Sequence, residues 1–349
     1  MNRFLSYVLM PVAALALLIP VGCNQAPTQA PSSSSNTNNV GSVTSNLPVP
    51  QLVKNGPGAT PKAVPAVAYT AFSDSKVSYT RTEAFLPYNN HWYYEYYPYY
   101  SYGIGILPNG NLVTADFYNS QVDEVNPMGA PNNFAELPAT NFGNSQLYYP
   151  YGLAVDGQGN VYVANYEDSN VVKYSSAGVY QGTLSHGFSD VYNVTVDNAG
   201  NIYVVDGGYD NVQKFNSNFQ FQKSWGHFDS PWGIGTDGTN IFVADYGTEK
   251  IEKYSPNGLL MGNITSTTGK SANFKYPYGL GGDGKGNIFV ADYDLGIFEY
   301  NATSLAYEAT VALTSDDEFE YGPLDVAVDP QGNVYCTDYY YMYKFAPKP

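Results

Sequence analysis

The 349-residue sequence is poor in cysteine, histidine and charge. Its two cysteines and three histidines exclude a disulfide framework and a multi-cysteine metal cluster. Charged residues make up 13% of the chain, about half of the usual share. Acidic residues outnumber basic ones by 31 to 15, giving a net charge of -16. Because phosphate backbones are bound by clustered basic side chains, we expect no nucleic-acid partner.

The sequence also lacks the short motifs that mark several enzyme classes. It contains no Gly-x-x-x-x-Gly-Lys-Ser/Thr phosphate loop, no Gly-x-Ser-x-Gly nucleophile elbow and no Cys-x-x-Cys-His haem attachment. We therefore predict no cofactor. The sequence favours a non-catalytic protein over an enzyme.

Tyrosine is present in excess, with 35 residues, and aromatic residues make up 16% of the chain. With so little charge, the polar surface must come from Tyr, Asn, Ser, Thr and Gly. These groups do not titrate below neutral pH, so we expect the folded domain to tolerate acid.

Residues 1–23 have the pattern of a signal peptide. Arg3 is followed by an apolar run from Val8 to Ile19, which is too short to favour a membrane span. The small residues before Cys23 resemble a bacterial lipobox, which implies lipid attachment to Cys23 after cleavage. Pro20 stands where that motif usually has leucine, so ordinary secretion with cleavage near Gly22 is the alternative. We predict an exported lipoprotein of the cell envelope, at the outer membrane or cell surface.

Residues 24–65 are mainly Ser, Asn, Thr, Pro and Gly and contain no aromatic residue. Such a segment cannot bury enough apolar surface to become ordered, so we predict a disordered linker. A flexible coil of this length spans about 35 Å. It would hold a domain formed by residues 66–349 clear of the membrane.

Six copies of one unit occupy about 70% of the chain. One clear copy reads PYGLAVDGQGNVYVANYEDSNVVKY from Pro150. An aspartate that starts a turn recurs every 40 to 46 residues in five copies, from Asp156 to Asp329. Each unit contains a short apolar strand, a turn, a second strand and then further strands, which is typical of a four-stranded propeller blade. The copies begin at Ser101, Pro150, Val191, Pro231, Pro277 and Pro323.

These units resemble NHL repeats in their Pro-x-Gly start, their Gly-Asn turn and their Val-Tyr-Val-Ala-Asp strand. The resemblance implies an all-β fold, a six-bladed β-propeller of four-stranded antiparallel blades. It implies little about function, because NHL propellers include both binding scaffolds and a few enzymes.

The last copy ends with its third strand, from Tyr341 to Phe345, and so lacks an outer strand. An exposed strand edge needs a partner. The segment from Lys76 to Phe85 alternates like a strand and precedes the first copy. We predict that it closes the ring by pairing with the C-terminal strand.

One end of the propeller is predicted to be rich in aromatic residues. In this blade order, the starts of the first strands and the ends of the second strands lie on the same face. Aromatic residues occupy ten of these twelve positions, Leu324 and Gly207 being the exceptions. The ten are Tyr102, Tyr151, Tyr192, Trp232 and Tyr278 at the first strands and Phe117, Tyr166, Tyr246, Tyr293 and Tyr339 after the second strands.

These ten residues, which we call the aromatic face, have two possible roles. Aromatic rings offer a large contact area at small entropic cost, which favours ligand binding. Alternatively, the rings pack between blades and seal the channel. The segment from His91 to Tyr102, HWYYEYYPYYSY, connects to the same face and is either an aromatic contact loop or a cover over the channel.

Three histidines are weak candidates for a metal site. His91, His186 and His227 all lie in connections between a fourth strand and the next first strand. NHL-like lyases use histidines near the axis, so the resemblance implies that convergence of these three could hold zinc. Surface positions or hydrogen-bonded roles are the alternative.

Two further features favour structural roles. Aspartate ends the second strand in five copies and Asn165 replaces it in the other, which favours bonds to loop amides over a carboxylate site. Cys336 occupies a core position of its strand and is expected to be a buried small hydrophobe.

The sequence therefore predicts an exported, lipid-anchored propeller without catalytic residues. Its aromatic face would bind a glycan, peptide or protein partner. The alternative is a metal-dependent lyase or lactonase-like hydrolase that acts near the central channel.

Overall fold

A computed structural model describes residues 79–85, 101–125, 146–267, 273–316, 319, 321–339 and 341–347. The chain divides into two units, Met1–Gly56 and Pro57–Pro349, and the described residues all belong to the second. The predicted signal peptide, the linker and His91 lie outside the described residues. No helix in the described ranges is long and apolar enough to cross a membrane.

The strands form six antiparallel sheets that we number as blades 1–6 in the order of the repeats. The first strand, β1 (Tyr79–Phe85), precedes the repeats. Blade 1 contains β2 (Ser101–Ile106), β3 (Leu112–Asp116) and β4 (Gln121–Val125). Blade 2 contains β5 (Pro150–Val155), β6 (Val161–Asn165), β7 (Asn170–Tyr174) and β8 (Tyr180–Leu184). Blade 3 contains β9 (Val191–Val196), β10 (Ile202–Asp206), β11 (Asn211–Phe215) and β12 (Phe221–Trp225).

Blade 4 contains β13 (Pro231–Thr236), β14 (Ile241–Asp245), β15 (Lys250–Tyr254) and β16 (Leu260–Ile264). Blade 5 contains β17 (Pro277–Gly282), β18 (Asn287–Asp292), β19 (Gly296–Asn301) and β20 (Tyr307–Leu313), followed by a 3-10 turn (Thr314–Asp316). Blade 6 contains β21 (Asp325–Val328), β22 (Val334–Asp338) and β23 (Tyr341–Pro347).

The six inner strands, β2, β5, β9, β13, β17 and β21, contact one another in this order, and β21 contacts β2. The sheets therefore form a closed ring, and the predicted six-bladed β-propeller is confirmed. The hydrophobic core lies between neighbouring blades: each cluster of buried apolar residues combines side chains of two adjacent sheets. Cys336 is fully buried in the cluster between blades 5 and 6, as predicted.

The ring is closed by the N-terminal strand. β1 pairs antiparallel with β23, from Tyr79 opposite Pro347 to Phe85 opposite Met342. The Tyr79 hydroxyl also donates a hydrogen bond of 2.9 Å to Glu299 of blade 5. The prediction that a segment before the first repeat supplies the missing outer strand is confirmed.

The repeated turn aspartates fix the connection from the first to the second strand. Asp197 accepts hydrogen bonds from the backbone N–H groups of Ala199 and Asn201, both at 2.9 Å. Its other oxygen accepts the hydroxyl of Tyr203 at 2.8 Å. Asx turns of this kind explain why the motif recurs with the same spacing.

Candidate functional site

Side chains at the ends of the second strands hold the loops of the aromatic face. Asp292 accepts the backbone N–H groups of Lys275 at 2.7 Å and Tyr276 at 3.2 Å. Asp245 accepts that of Asp229 at 2.8 Å, and Asn165 that of Tyr148 at 2.6 Å. The predicted bonds to loop amides are confirmed. Each bond ties the loop that enters a blade to the second strand of the same blade.

Burial dominates the electrostatics of these loop-holding aspartates. The pKa of Asp292 is raised to about 6 because desolvation outweighs its amide bonds. Desolvation also raises the pKa values of Asp116, Asp206 and Asp245. The carboxylates therefore gain less from these bonds than they lose by leaving water.

Six of the ten predicted residues are buried in a cluster that we call the aromatic plug, each with an exposed fraction of 9% or less. The Tyr102 and Tyr151 ring centroids are 4.1 Å apart, and Trp232 lies 5.7 Å from Tyr151 and 5.1 Å from Tyr278. Since Tyr151 and Trp232 belong to blades 2 and 4, the rings meet over the channel. The plug consists of Tyr102, Phe117, Tyr151, Trp232, Tyr278 and Tyr339.

The plug closes this end of the channel. A void of about 20 Å³ remains beneath the rings, lined also by Leu324. This is room for about one water molecule. A ligand therefore cannot reach the channel through the plug as it is packed here.

The other four predicted residues, Tyr166, Tyr192, Tyr246 and Tyr293, are partly exposed. Tyr192 stacks on Trp232 with centroids 4.6 Å apart and an angle of 2° between the rings. Tyr166 stacks on Tyr192 at 5.6 Å and 7°. Three nearly parallel rings thus lead from the plug to the surface.

Gly207, an exception in the aromatic pattern, is explained by Tyr192. A Cβ atom at position 207 would lie 2.1 Å from the Tyr192 ring. Glycine therefore provides the space in which Tyr192 stacks on its neighbours.

The sequence analysis missed partly exposed rings in the incoming loops. Tyr276 stacks on Tyr246 at 5.3 Å, and Tyr149 stacks on Phe117 at 4.7 Å. Both directly precede the proline that opens an inner strand, a signal visible in the YPYG sequences. We call Tyr149, Tyr166, Tyr192, Tyr246, Tyr276 and Tyr293 the outer rings.

Four hydroxyl groups of this region are held neutral by burial. Burial raises the pKa of Tyr246 to about 12 and those of Tyr102, Tyr151 and Tyr278 well above the usual value. The rings therefore offer apolar surface and neutral hydrogen-bonding groups.

The described histidines are solvent-exposed. His186 stacks on Phe221 of blade 3 with centroids 4.5 Å apart, and His227 is exposed in the next connection. Within the described ranges, no group of three or more His, Cys, Asp or Glu side chains could hold a metal ion.

Solved structures of several different functions share this fold. A streptogramin B lyase has a TM-score of 0.54 at 13% identity, covering 76% of this chain and 98% of its own. A gluconolactonase from Xanthomonas campestris has a TM-score of 0.57 at 14% identity, covering 81% and 98%. A nidogen/laminin complex has a TM-score of 0.52 at 14% identity, covering 65% and 86%.

No protein-family model matches the chain, and no curated protein matches its sequence. At these identities the structural likeness shows the β-propeller fold alone. The assignment to NHL repeats stays a prediction.

Proposed function

We propose that this protein is an exported, non-catalytic binding or scaffolding module of the cell envelope, anchored through lipid on Cys23. Its outer rings recognise a glycan, a peptide or a protein. The observation that carries this proposal is the set of partly exposed tyrosines at one end of the propeller.

The outer rings are suited to binding because they are already ordered. Tyr192 and Tyr166 continue the stack from Trp232, and Tyr246 and Tyr276 stack on each other. Rigid aromatic side chains lose little conformational entropy when a ligand binds. Sugar rings and apolar side chains both pack flat against such surfaces. The nidogen/laminin complex is a structure of the same fold determined with a protein partner.

An array of glycans and peptides, probed with the purified protein, tests the proposal. For a ligand that binds, we expect the Tyr166→Ala/Tyr246→Ala variant to bind at least tenfold more weakly. Tyr180→Ala is the matched control, because Tyr180 is 47% exposed at the start of outer strand β8. Absence of any ligand, or equal binding by both variants, contradicts the proposal.

A metal-dependent lyase or lactonase is the second candidate function. The fold likeness to a streptogramin B lyase and a gluconolactonase favours it. Metal analysis of the purified protein tests it: a stoichiometric divalent metal supports the candidate, and a metal-free protein without lactonase or lyase activity rejects it.

A further inference from the structure

The central channel contains two polar residues at positions where the other blades have glycine. The third residue of the repeat is glycine in blades 1, 2, 4 and 5, and neighbouring strands leave no room for a side chain there. A Cβ atom at Gly233 would lie 1.8 Å from the Tyr278 carbonyl oxygen, and one at Gly279 would lie 2.4 Å from the Cα atom of Asp325. Blades 3 and 6, on opposite sides of the ring, have Asn193 and Asp325 instead.

These two residues lie at the closed end of a pocket. A cavity of about 200 Å³ is lined by the inner strands of all six blades and extends away from the aromatic plug. Asn193 and Asp325 line both this cavity and the small void beneath the plug. A ligand must therefore enter from the face opposite the outer rings.

The negative charge of Asp325 has no positive partner in the channel. Its carboxylate accepts the backbone N–H group of Ile104 at 3.1 Å and further backbone hydrogen bonds from Val326 and Leu280. Burial nevertheless raises its pKa to about 7. Among the described residues, no lysine, arginine or histidine lines the cavity.

The titratable groups that surround Asp325 do not supply a positive charge either. On the strands packed against β21, the titratable residues are Tyr102, Tyr278, Asp292, Tyr335, Cys336 and Asp338. Burial raises the pKa values of Tyr102, Tyr278 and Cys336 well above their usual ranges, so these groups stay neutral. None of the six is a cation.

We propose that the channel binds a small primary amine, with the ammonium group at Asp325 and Asn193. An ammonium group donates three hydrogen bonds, and the closed end offers the carboxylate of Asp325 and the amide oxygen of Asn193 as acceptors. That amide oxygen accepts the backbone N–H group of Val194 at 2.8 Å and has a second lone pair for the ligand. Most of the exposed lining of the cavity is polar, because the neighbouring apolar side chains, such as Ile104, Val194 and Val326, are buried in the clusters between blades.

The volume and the ligand set agree with an organic cation. Since a cavity of about 150 Å³ can hold benzene, the channel cavity of about 200 Å³ has room for a short chain and its head group. Calcium prefers six to eight oxygen ligands, usually with several carboxylates, and this lining has one carboxylate.

Titration calorimetry with n-butylamine at pH 8 tests the proposal on the purified full chain. n-Butanol and butyrate are control ligands that lack the positive charge. We expect saturable binding of the amine alone, weakened at least tenfold in Asp325→Asn. We expect this variant to fold, because asparagine already occupies the same position in blade 3, as Asn193. Asp116→Asn is the matched protein control, since Asp116 is a buried aspartate of raised pKa outside the channel lining and Asn165 occupies its position in blade 2.

A second measurement needs no variant. Because protonated Asp325 carries no charge, amine binding by the wild-type protein is expected to weaken at least fivefold from pH 8 to pH 6. The proposal is overturned if butylamine does not bind, if butanol binds equally well, or if Asp325→Asn and low pH leave amine affinity unchanged. None of these tests involves the outer rings, so they are independent of the proposed function.

Discussion

Replacement of Asp325 by asparagine is expected to stabilise the protein at alkaline pH. Burial raises the pKa of this carboxyl from its ordinary value of 3.8 to about 7. The ionised form is therefore disfavoured in the folded state. Each pKa unit corresponds to about 1.4 kcal/mol, so ionisation costs about 4 kcal/mol of folding free energy.

The raised pKa also sets the pH range of this effect. Below about pH 4 the carboxyl is protonated in both the folded and the unfolded chain, and the penalty is absent. It grows as the pH rises and is complete above about pH 7, where the folded protein ionises too. Asparagine cannot ionise, so the variant avoids the penalty but presents an amide where backbone N–H groups require an acceptor. We therefore expect a gain of about 2 to 4 kcal/mol at pH 8, and at pH 4 no gain but a loss of up to about 2 kcal/mol from the amide.

Urea unfolding followed by tryptophan fluorescence, in amine-free buffer, measures this difference at both pH values. The reverse change, Asn193→Asp, is the companion variant and is expected to destabilise the protein at pH 8 more than at pH 4. The reasoning is refuted if Asp325→Asn is no more stable than wild type at pH 8, or if the difference is the same at both pH values.

Four further predictions concern the closing strand, the plug, acid tolerance and the proposed lipid anchor. Deletion of residues up to Glu83 removes the strand that pairs with β23 and should abolish cooperative thermal unfolding, whereas deletion of residues 24–60 should leave the melting temperature nearly unchanged. Trp232→Ala should cost about 3 to 5 kcal/mol in urea unfolding, and an unchanged midpoint would remove Trp232 from the plug. Aspartates with raised pKa values, such as Asp292, bind protons more readily in the folded state, so they stabilise it as the pH falls. Circular dichroism should therefore show sheet structure down to about pH 3. Cooperative loss of the sheet signal above that pH contradicts acid tolerance. Cys23→Ser should release the protein from the membrane fraction, and a variant that stays bound would refute the lipid anchor.

The sequence by itself determined the architecture. Aspartate turns, alternating strands and a repeat of 40 to 46 residues are local features, and each blade is built from its own repeat. The missing outer strand of the last repeat also follows from counting strands, which located the partner of β23 in the segment ending at Phe85. The loop-holding role of the second-strand aspartates was predictable because it recurs in nearly every copy.

Only the tertiary structure decided which aromatic residues are accessible. Tyr151 and Tyr166 both belong to the predicted aromatic face, yet one is buried in the plug and the other is partly exposed. Equivalent positions in a repeat share a face, but their depth depends on how rings from different blades meet at the axis. The YPYG sequence marks Tyr276, but its stacking on Tyr246 depends on the loop that Asp292 holds.

The channel site also depends on tertiary structure. The sequence shows that Asn193 and Asp325 replace glycine in repeats 3 and 6, which a six-bladed ring places on opposite sides, but not that both residues line one cavity. The plug above them combines residues of five blades, and the cavity below them is lined by all six. The environment of Asp325, and with it the raised pKa, exists only when the ring is closed, because the burial and the hydrogen bond from Ile104 come from residues distant in the chain.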